Sequence, residues 1–202
     1  MPAQRNNLMY SRRSALNLGA KQTIAKLVAD HVEDGTSLAI SIGTTPEVVV
    51  EALKGKSELT IFTNNLNVAM LASAQPDWSV SIPGGAVRSG DRDVLGPAAE
   101  DFFARYCVDY GIFGVGGVTA DGNLLDFTDD EVKCRAAIQA NCNSAYLVLD
   151  HTKFGRRAHV RGGKISSVGK VFCDALPPAP IVDMLSQSRT HLITPQKALR
   201  NA

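Results

Sequence analysis

The sequence predicts an α/β fold: a three-layer sandwich built around a mostly parallel sheet. Three observations carry this. Short apolar runs of strand length alternate with segments of helical period almost to the end of the chain. Strands that alternate with helices imply parallel strands covered on both faces. No stretch rich in Pro, Gly or Ser divides the chain and no solenoid repeat is present, so one domain is expected across 202 residues.

The elements follow in order. The first dozen residues are polar and are expected to fray, so residues 1–13 read as disordered or as a hinge and 14–202 as the domain. Ala20, Ile24, Leu27 and Val28 fall on one face of a helix that ends before Asp34-Gly35. SLAISI (37–42) is a buried strand. After Gly43 and Thr44, Thr45 suits a helix cap and Pro46 the first helical position. ELTIFT (58–63) is the next strand, and Asn64-Asn65 supplies the cap of the helix after it. WSVSI (78–82) ends at Pro83-Gly84-Gly85, and a helix near residues 97–105 leads to the strand CVDYGIFGV (107–115). Thr128 and Glu131 have capping-box spacing at the head of DDEVKCRAAIQA. SAYLVLD (144–150) is a strand, followed by a loop of Gly and basic residues. ISSVGKVFC and THLIT add two strands, with a short helix near residues 179–186 between them.

Composition narrows the function. Lys and Arg number 21 against 20 Asp and Glu, a net charge of +1 that argues against a nucleic-acid-binding surface over the whole molecule. Cys107, Cys134, Cys142 and Cys173 form no C-x-x-C pair and have no histidine cluster beside them, so no metal is expected and the thiols read as buried and reduced. The N-terminal MPAQRNNLMYSRRS lacks the apolar core of a signal peptide, and no apolar run is long enough to cross a bilayer. A cytoplasmic protein with no membrane partner is expected.

In open parallel sheets ligands bind beyond the carboxyl ends of the strands. Here those ends carry Gly43-Thr44-Thr45, Thr63-Asn64-Asn65, Gly84-Gly85, Gly114-Val115-Gly116-Gly117 and Asp150-His151-Thr152-Lys153. The first two precede helix starts, where free N–H groups and the helix dipole favour an anion. Taken singly, Thr45 and Asn65 are ordinary caps and the glycines ordinary turn residues. Together they point to a phosphorylated small molecule. Neither G-x-G-x-x-G nor G-x-x-x-x-G-K-[ST] is present, which disfavours a nicotinamide cofactor and P-loop chemistry, and no cofactor is expected.

Six cations at 153, 156, 157, 161, 164 and 170 fill the stretch from His151 to Lys170 without an acid. Most read equally as a solvated loop. Lys153, just past a strand end beside Asp150, and Arg88, after Gly84-Gly85, are candidates to hold phosphate. Glu131 and Arg135 are helical neighbours, read either as an intrahelical ion pair or as a carboxylate for sugar hydroxyls beside a guanidinium for phosphate. Asp121, Asp126, Asp129, Asp130 and Glu131 offer no paired arrangement for acid–base chemistry, so no catalytic residue is assigned.

The series SIGTTPE, TNNLNVA, PGGAVR, GIFGVGG, DEVKCRAAI and DHTKFGRRA closely resembles, in that order, the effector-binding domain of DeoR-type transcriptional repressors. The resemblance spans residues 14–195. It implies a fold like that of sugar-phosphate isomerases and CoA transferases, and the sensing of a phosphorylated sugar or polyol, with glycerol 3-phosphate favoured, rather than its conversion. By position it implies a pocket of Gly43, Thr44, Thr45, Asn64, Asn65, Gly85, Arg88, Gly116, Gly117, Glu131, Arg135, Asp150 and Lys153. Arg135 stands where the family usually has Lys, which removes any lysine chemistry but not a phosphate contact. Family members begin with a winged helix-turn-helix. Residues 1–13 hold no recognition helix, so DNA contact is expected only through a domain missing here, more readily by excision than by nature. A homo-oligomer is expected. The alternatives are a sugar-phosphate isomerase or deaminase on the same scaffold, and an oligomerisation module with a vestigial pocket.

Overall fold

The computed structural model describes residues 10–195. It opens with α1 (Tyr10–Ala15), α2 (Leu18–Ala29) and β1 (Ser37–Ile40). Then come α3 (Thr44–Ala52), β2 (Thr60–Thr63), α4 (Leu66–Ser73) and β3 (Ser79–Ser81). A hairpin of β4 (Val87–Arg88) and β5 (Asp93–Val94) leads to α5 (Pro97–Ala104) and β6 (Val108–Phe113). After them lie β7 (Gly117–Val118), β8 (Asn123–Asp126), α6 (Asp129–Ala140) and β9 (Cys142–Val148). The described chain continues through β10 (Val160–Lys164), β11 (Lys170–Phe172), α7 (Ala179–Ser186) and β12 (His191–Ile193).

Seven strands form one sheet in the order β3-β2-β1-β6-β9-β11-β12, every neighbouring pair parallel. Period-2 alternation sends successive side chains to opposite faces. Leu38, Ile40, Ile112, Tyr146 and Phe172 pack into the core shared with α2, α3 and α4. Ala39, Phe113, Leu147 and Val171 pack into the core shared with α5, α6 and α7. Burial of each large side chain contributes about 1.5–3 kcal/mol, so both helical layers are pinned to the sheet. The predicted three-layer α/β sandwich is the fold.

The structure adds what the pattern misses. β7, β8 and β10 form a small antiparallel sheet, and β4 pairs with β5. Strands of two residues carry no readable periodicity. The expected loop after Asp150 holds a 3-10 turn, His151–Lys153, as well as β10, and the expected strand at 165–173 is a 3-10 turn at Ile165–Ser167 followed by β11. The expected fraying gives way, from Tyr10 onward, to the helix α1; residues 1–9 lie outside the described residues. Of the cysteines, Cys134 and Cys173 are buried but Cys107 is exposed, which corrects the reading of four buried thiols.

Sheet order places a crevice at one point along the sheet edge. From β1 the chain builds outward to β2 and β3, then returns to lay β6 on the other side of β1. The order reverses between β1 and β6, and a crevice opens beyond the carboxyl ends of strands at such a switch point.

Candidate functional site

A cleft of about 750 Å³ lies at this switch point, within the roughly 300–1,000 Å³ usual for small-molecule sites. Its floor is made by the segments leaving three strands: Ile42–Glu47 after β1, Gly114–Gly116 after β6, and Val148 and Asp150 with the following turn after β9.

The β1 segment turns the N-terminus of α3 toward the cleft. Gly43 caps α3 with φ 117°, a value only glycine adopts without strain. The cap is therefore Gly43 and not Thr45, and Thr44 and Thr45 are the first two helical residues. Their N–H groups precede any intrahelical acceptor and sit at the positive end of the helix dipole. After β9, the Asp150 carboxylate accepts from Thr152 N–H at 3.0 Å and Asn17 Nδ2 at 3.2 Å, which fixes the turn that presents Lys153.

The charges of the cleft are unevenly partnered. Its carboxylates are each engaged by donors. Glu47 accepts from Tyr10 Oη at 2.5 Å, Asn65 Nδ2 at 3.0 Å and Asn67 Nδ2 at 3.2 Å. Asp93 takes two bonds from Arg88 at 2.7 and 2.8 Å. Glu131 accepts from Phe127 N–H at 2.9 Å and pairs with Arg88 at 3.3 Å, while burial raises its pKa. Asp126 accepts from Gly116 N–H at 3.0 Å and from Arg135 at 2.8 and 3.0 Å. The cations differ. Among the described residues no side-chain hydrogen bond or ion pair holds Lys153 Nζ, and Arg156 Nη2 is buried with no partner. Burial, then the charge of Arg156, pushes the Lys153 pKa down to about 8; Arg13 and Lys21 add to the push and Asp150 opposes it. Arg156 and Lys21 are likewise lowered, each chiefly by burial. Lys153 and Arg156 thus stand in the cleft with no carboxylate in contact with either among the described residues, and only the more distant Asp150 offsets their charge.

Of the residues expected at the site, Gly43, Thr44, Thr45, Gly116, Glu131, Asp150 and Lys153 line this cleft. The others do not. Asn64 is fully buried and donates to Val94 O at 2.8 Å. Asn65 caps α4 by accepting from Asn67 N–H at 2.9 Å and stands behind Glu47. Gly85 lies in a separate shallow groove with Ala98 and Arg105. Arg88 is consumed by Asp93, Asp91 and Glu131. Arg135, 2% exposed, pairs with Asp126 rather than with Glu131, so the expected intrahelical ion pair is not formed.

Gly117 has a reason within the protein itself to be a glycine. A Cβ there would lie 2.2 Å from the backbone oxygen of Arg156. Gly117→Ala is therefore expected to displace the Arg156 segment, costing about 1–3 kcal/mol of stability, measurable by urea denaturation.

Tyr10, Arg13, Asn17, Lys21, Glu47 and Arg156 line the cleft without having been singled out as site residues. Lys21 had a legible signal: it shares the apolar helix face of Ile24, Ala25 and Val28, where a buried lysine demands an explanation.

A family described as the DeoR C terminal sensor domain matches residues 16–175. The chain belongs to the DeoR family. The sensor domain is 40% identical over 192 residues to the glycerol-3-phosphate regulon repressor of Escherichia coli (strain K12), covering 95% of this chain and 76% of that protein. It is 36% identical over 191 residues to the HTH-type transcriptional repressor CsqR of the same organism, covering 95% and 73%. Both relatives are repressors by name. Among solved structures, eIF2B delta from Chaetomium thermophilum is similar with a TM-score of 0.55 at 14% identity, covering 78% of this chain and 56% of that one, a likeness of fold alone. Ribose 5-phosphate isomerase A from Methanocaldococcus jannaschii is similar with a TM-score of 0.49 at 16% identity, covering 68% and 55%. The chain spans about half the length of these two structures. Among the described residues of the sensor domain no helix is long and apolar enough to cross a membrane.

Proposed function

We propose that this sensor domain binds a phosphorylated small polyol or sugar, glycerol 3-phosphate above all, and that occupancy sets the DNA affinity of the repressor to which it belongs. The single observation that carries the reading is the cation pair Lys153 and Arg156, neither in contact with a carboxylate, in a cleft that also contains the free helix N-terminus at Gly43–Thr45. A phosphate dianion supplies the missing charge and accepts from the Thr44 and Thr45 N–H groups. The carboxylates Glu131 and Asp126, already held by arginines outside the cleft, offer acceptors to ligand hydroxyls. The similarity to the glycerol-3-phosphate regulon repressor of Escherichia coli supports glycerol 3-phosphate as the first candidate.

Control of DNA affinity follows from linkage. The effector shifts the repressor only by its difference in affinity for the two states. DNA contact belongs to the helix-turn-helix part of such repressors, and a homo-oligomer in the cytoplasm is the setting we assign.

A thermal-shift panel tests the reading. Glycerol 3-phosphate, fructose 1-phosphate and ribose 5-phosphate are compared with glycerol, fructose and ribose. At about 100 times Kd a true effector adds about 2.7 kcal/mol. For a domain of this size each kcal/mol raises Tm by about 2–4 °C. A shift of several degrees with at least one phosphorylated compound, and none with its parent polyol or sugar, is expected. No shift with any of them overturns the proposal, and turnover of any would return the enzyme alternative.

A further inference from the structure

The site does not end at the sheet. Helix α1 has six residues, none of them buried. So short a helix is not stable by itself in water and needs tertiary contacts. Its anchors are polar, and every one of them ends on a residue of the cleft. Tyr10 Oη donates to Glu47, which stands in the first turn of α3. Arg13 pairs with Asp91, on the hairpin side of the cleft. The buried Lys21 ammonium donates to the carbonyl oxygens of Arg13 and Ser14 near the carboxyl end of α1, and Thr44 Oγ1 donates to Arg13 O at 3.5 Å.

Docking of α1 also carries an electrostatic cost that depends on occupancy. The Arg13 charge disfavours the charged forms of Lys21, Lys153 and Arg156 alike. With the cleft empty, docked Arg13 faces three cations that it disfavours, and its pair with Asp91 offsets that repulsion. With an anion among Lys21, Lys153 and Arg156, the same cation is attracted instead.

We infer that α1 is a strap over the effector site whose docking is tightened by a phosphorylated ligand, with Arg13 completing the anion site and Tyr10, Glu47 and Lys21 positioning the strap. The inference rests on the functional reading above and deepens it, naming how occupancy is reported at the N-terminal edge of the domain. Reciprocity follows: whatever pulls α1 away weakens the ligand, and the ligand holds α1 down by the same factor.

Hydrogen–deuterium exchange on the full chain, with glycerol 3-phosphate as probe and binding followed in parallel by calorimetry, tests this. Saturating glycerol 3-phosphate is expected to slow exchange of the amides of residues 10–16 by about fivefold or more, the lower end of common coupling factors. Glycerol is expected to leave them unchanged. Arg13→Gln, at the periphery of the fold, is expected to keep the circular dichroism of the parent and to lose most of the ligand-dependent slowing. Tyr10→Phe is expected to speed exchange of the same amides in the free protein. Binding with unchanged exchange over 10–16 overturns the strap and leaves the functional reading standing. Failure to bind overturns both.

Discussion

Arg135→Ala is expected to cost about 3–5 kcal/mol of folding stability, because it breaks a buried ion pair by deleting one partner. The loss falls toward the lower end of that range, since Asp126 keeps its 3.0 Å bond from Gly116 N–H and borders the cleft. The guanidinium also lies 5.8 Å from the centroid of the Phe113 ring, a contact that alanine removes. Arg135→Lys keeps the charge but gives up the two-pronged contact to Asp126, and is expected to fall between parent and alanine. Urea denaturation measures all three. Effector affinity of the folded variant is expected to fall only modestly, through loosening of the Asp126 carboxylate that Arg135 holds, and not through loss of a phosphate contact. A variant of normal stability that binds no effector would instead place Arg135 in the phosphate site, where the sequence first put it.

Lys153→Ala is expected to do the reverse, weakening glycerol 3-phosphate by about 1.5–3 kcal/mol through loss of a charge-assisted hydrogen bond. It is not expected to harm the free protein. In the fold the Lys153 pKa is pushed down to about 8 from the ordinary 10.5, so the unfolded chain binds this proton more tightly. The sign follows from linkage: charged Lys153 opposes folding, fully so below about pH 8, and this opposition fades as pH rises from about 8 toward 10.5. At pH 7 the alanine variant without ligand should be at least as stable as the parent by denaturation. The same proton governs binding. Effector affinity should fall as pH rises through about 8, where the free site loses the ammonium. It should also fall below about pH 6, where a phosphate monoester loses its second charge. Calorimetry at pH 5, 7 and 9 checks both limbs. An affinity flat from pH 7 to 9 would remove Lys153 from the site.

The sheet was legible because parallel strands announce themselves as apolar runs closed by Gly, Asn or Thr. Asn65 and Thr128 were readable as caps for the same local reason: a short acceptor before a helical run. The floor of the site was legible by rule, since Gly43–Thr45, Gly116 and Asp150 end strands beside the switch point. What local sequence does not contain is who pairs with whom. Asp126 reaches Arg135 across the end of the small antiparallel sheet, and Arg88 is claimed by a hairpin two residues wide per strand. Arg88 therefore reads as a phosphate ligand, and Arg135 as a phosphate ligand or a partner of Glu131, where the fold pairs them with Asp93 and Asp126. Gly117 likewise read as room for a ligand, whereas the room is filled by the Arg156 backbone. The strap was invisible for a related reason: Tyr10 and Arg13 lie in a polar stretch with no apolar period, and only tertiary contact makes it helical.

A crystal structure of the domain with glycerol 3-phosphate tests the central claim most directly. Phosphate density is expected against the Thr44 and Thr45 N–H groups, within hydrogen-bond reach of Lys153 and Arg156, with the glycerol hydroxyls turned toward Glu131 and Asp126. Phosphate bound in the groove at Gly85, or seated with its oxygens away from both Lys153 and the α3 N-terminus, would contradict it.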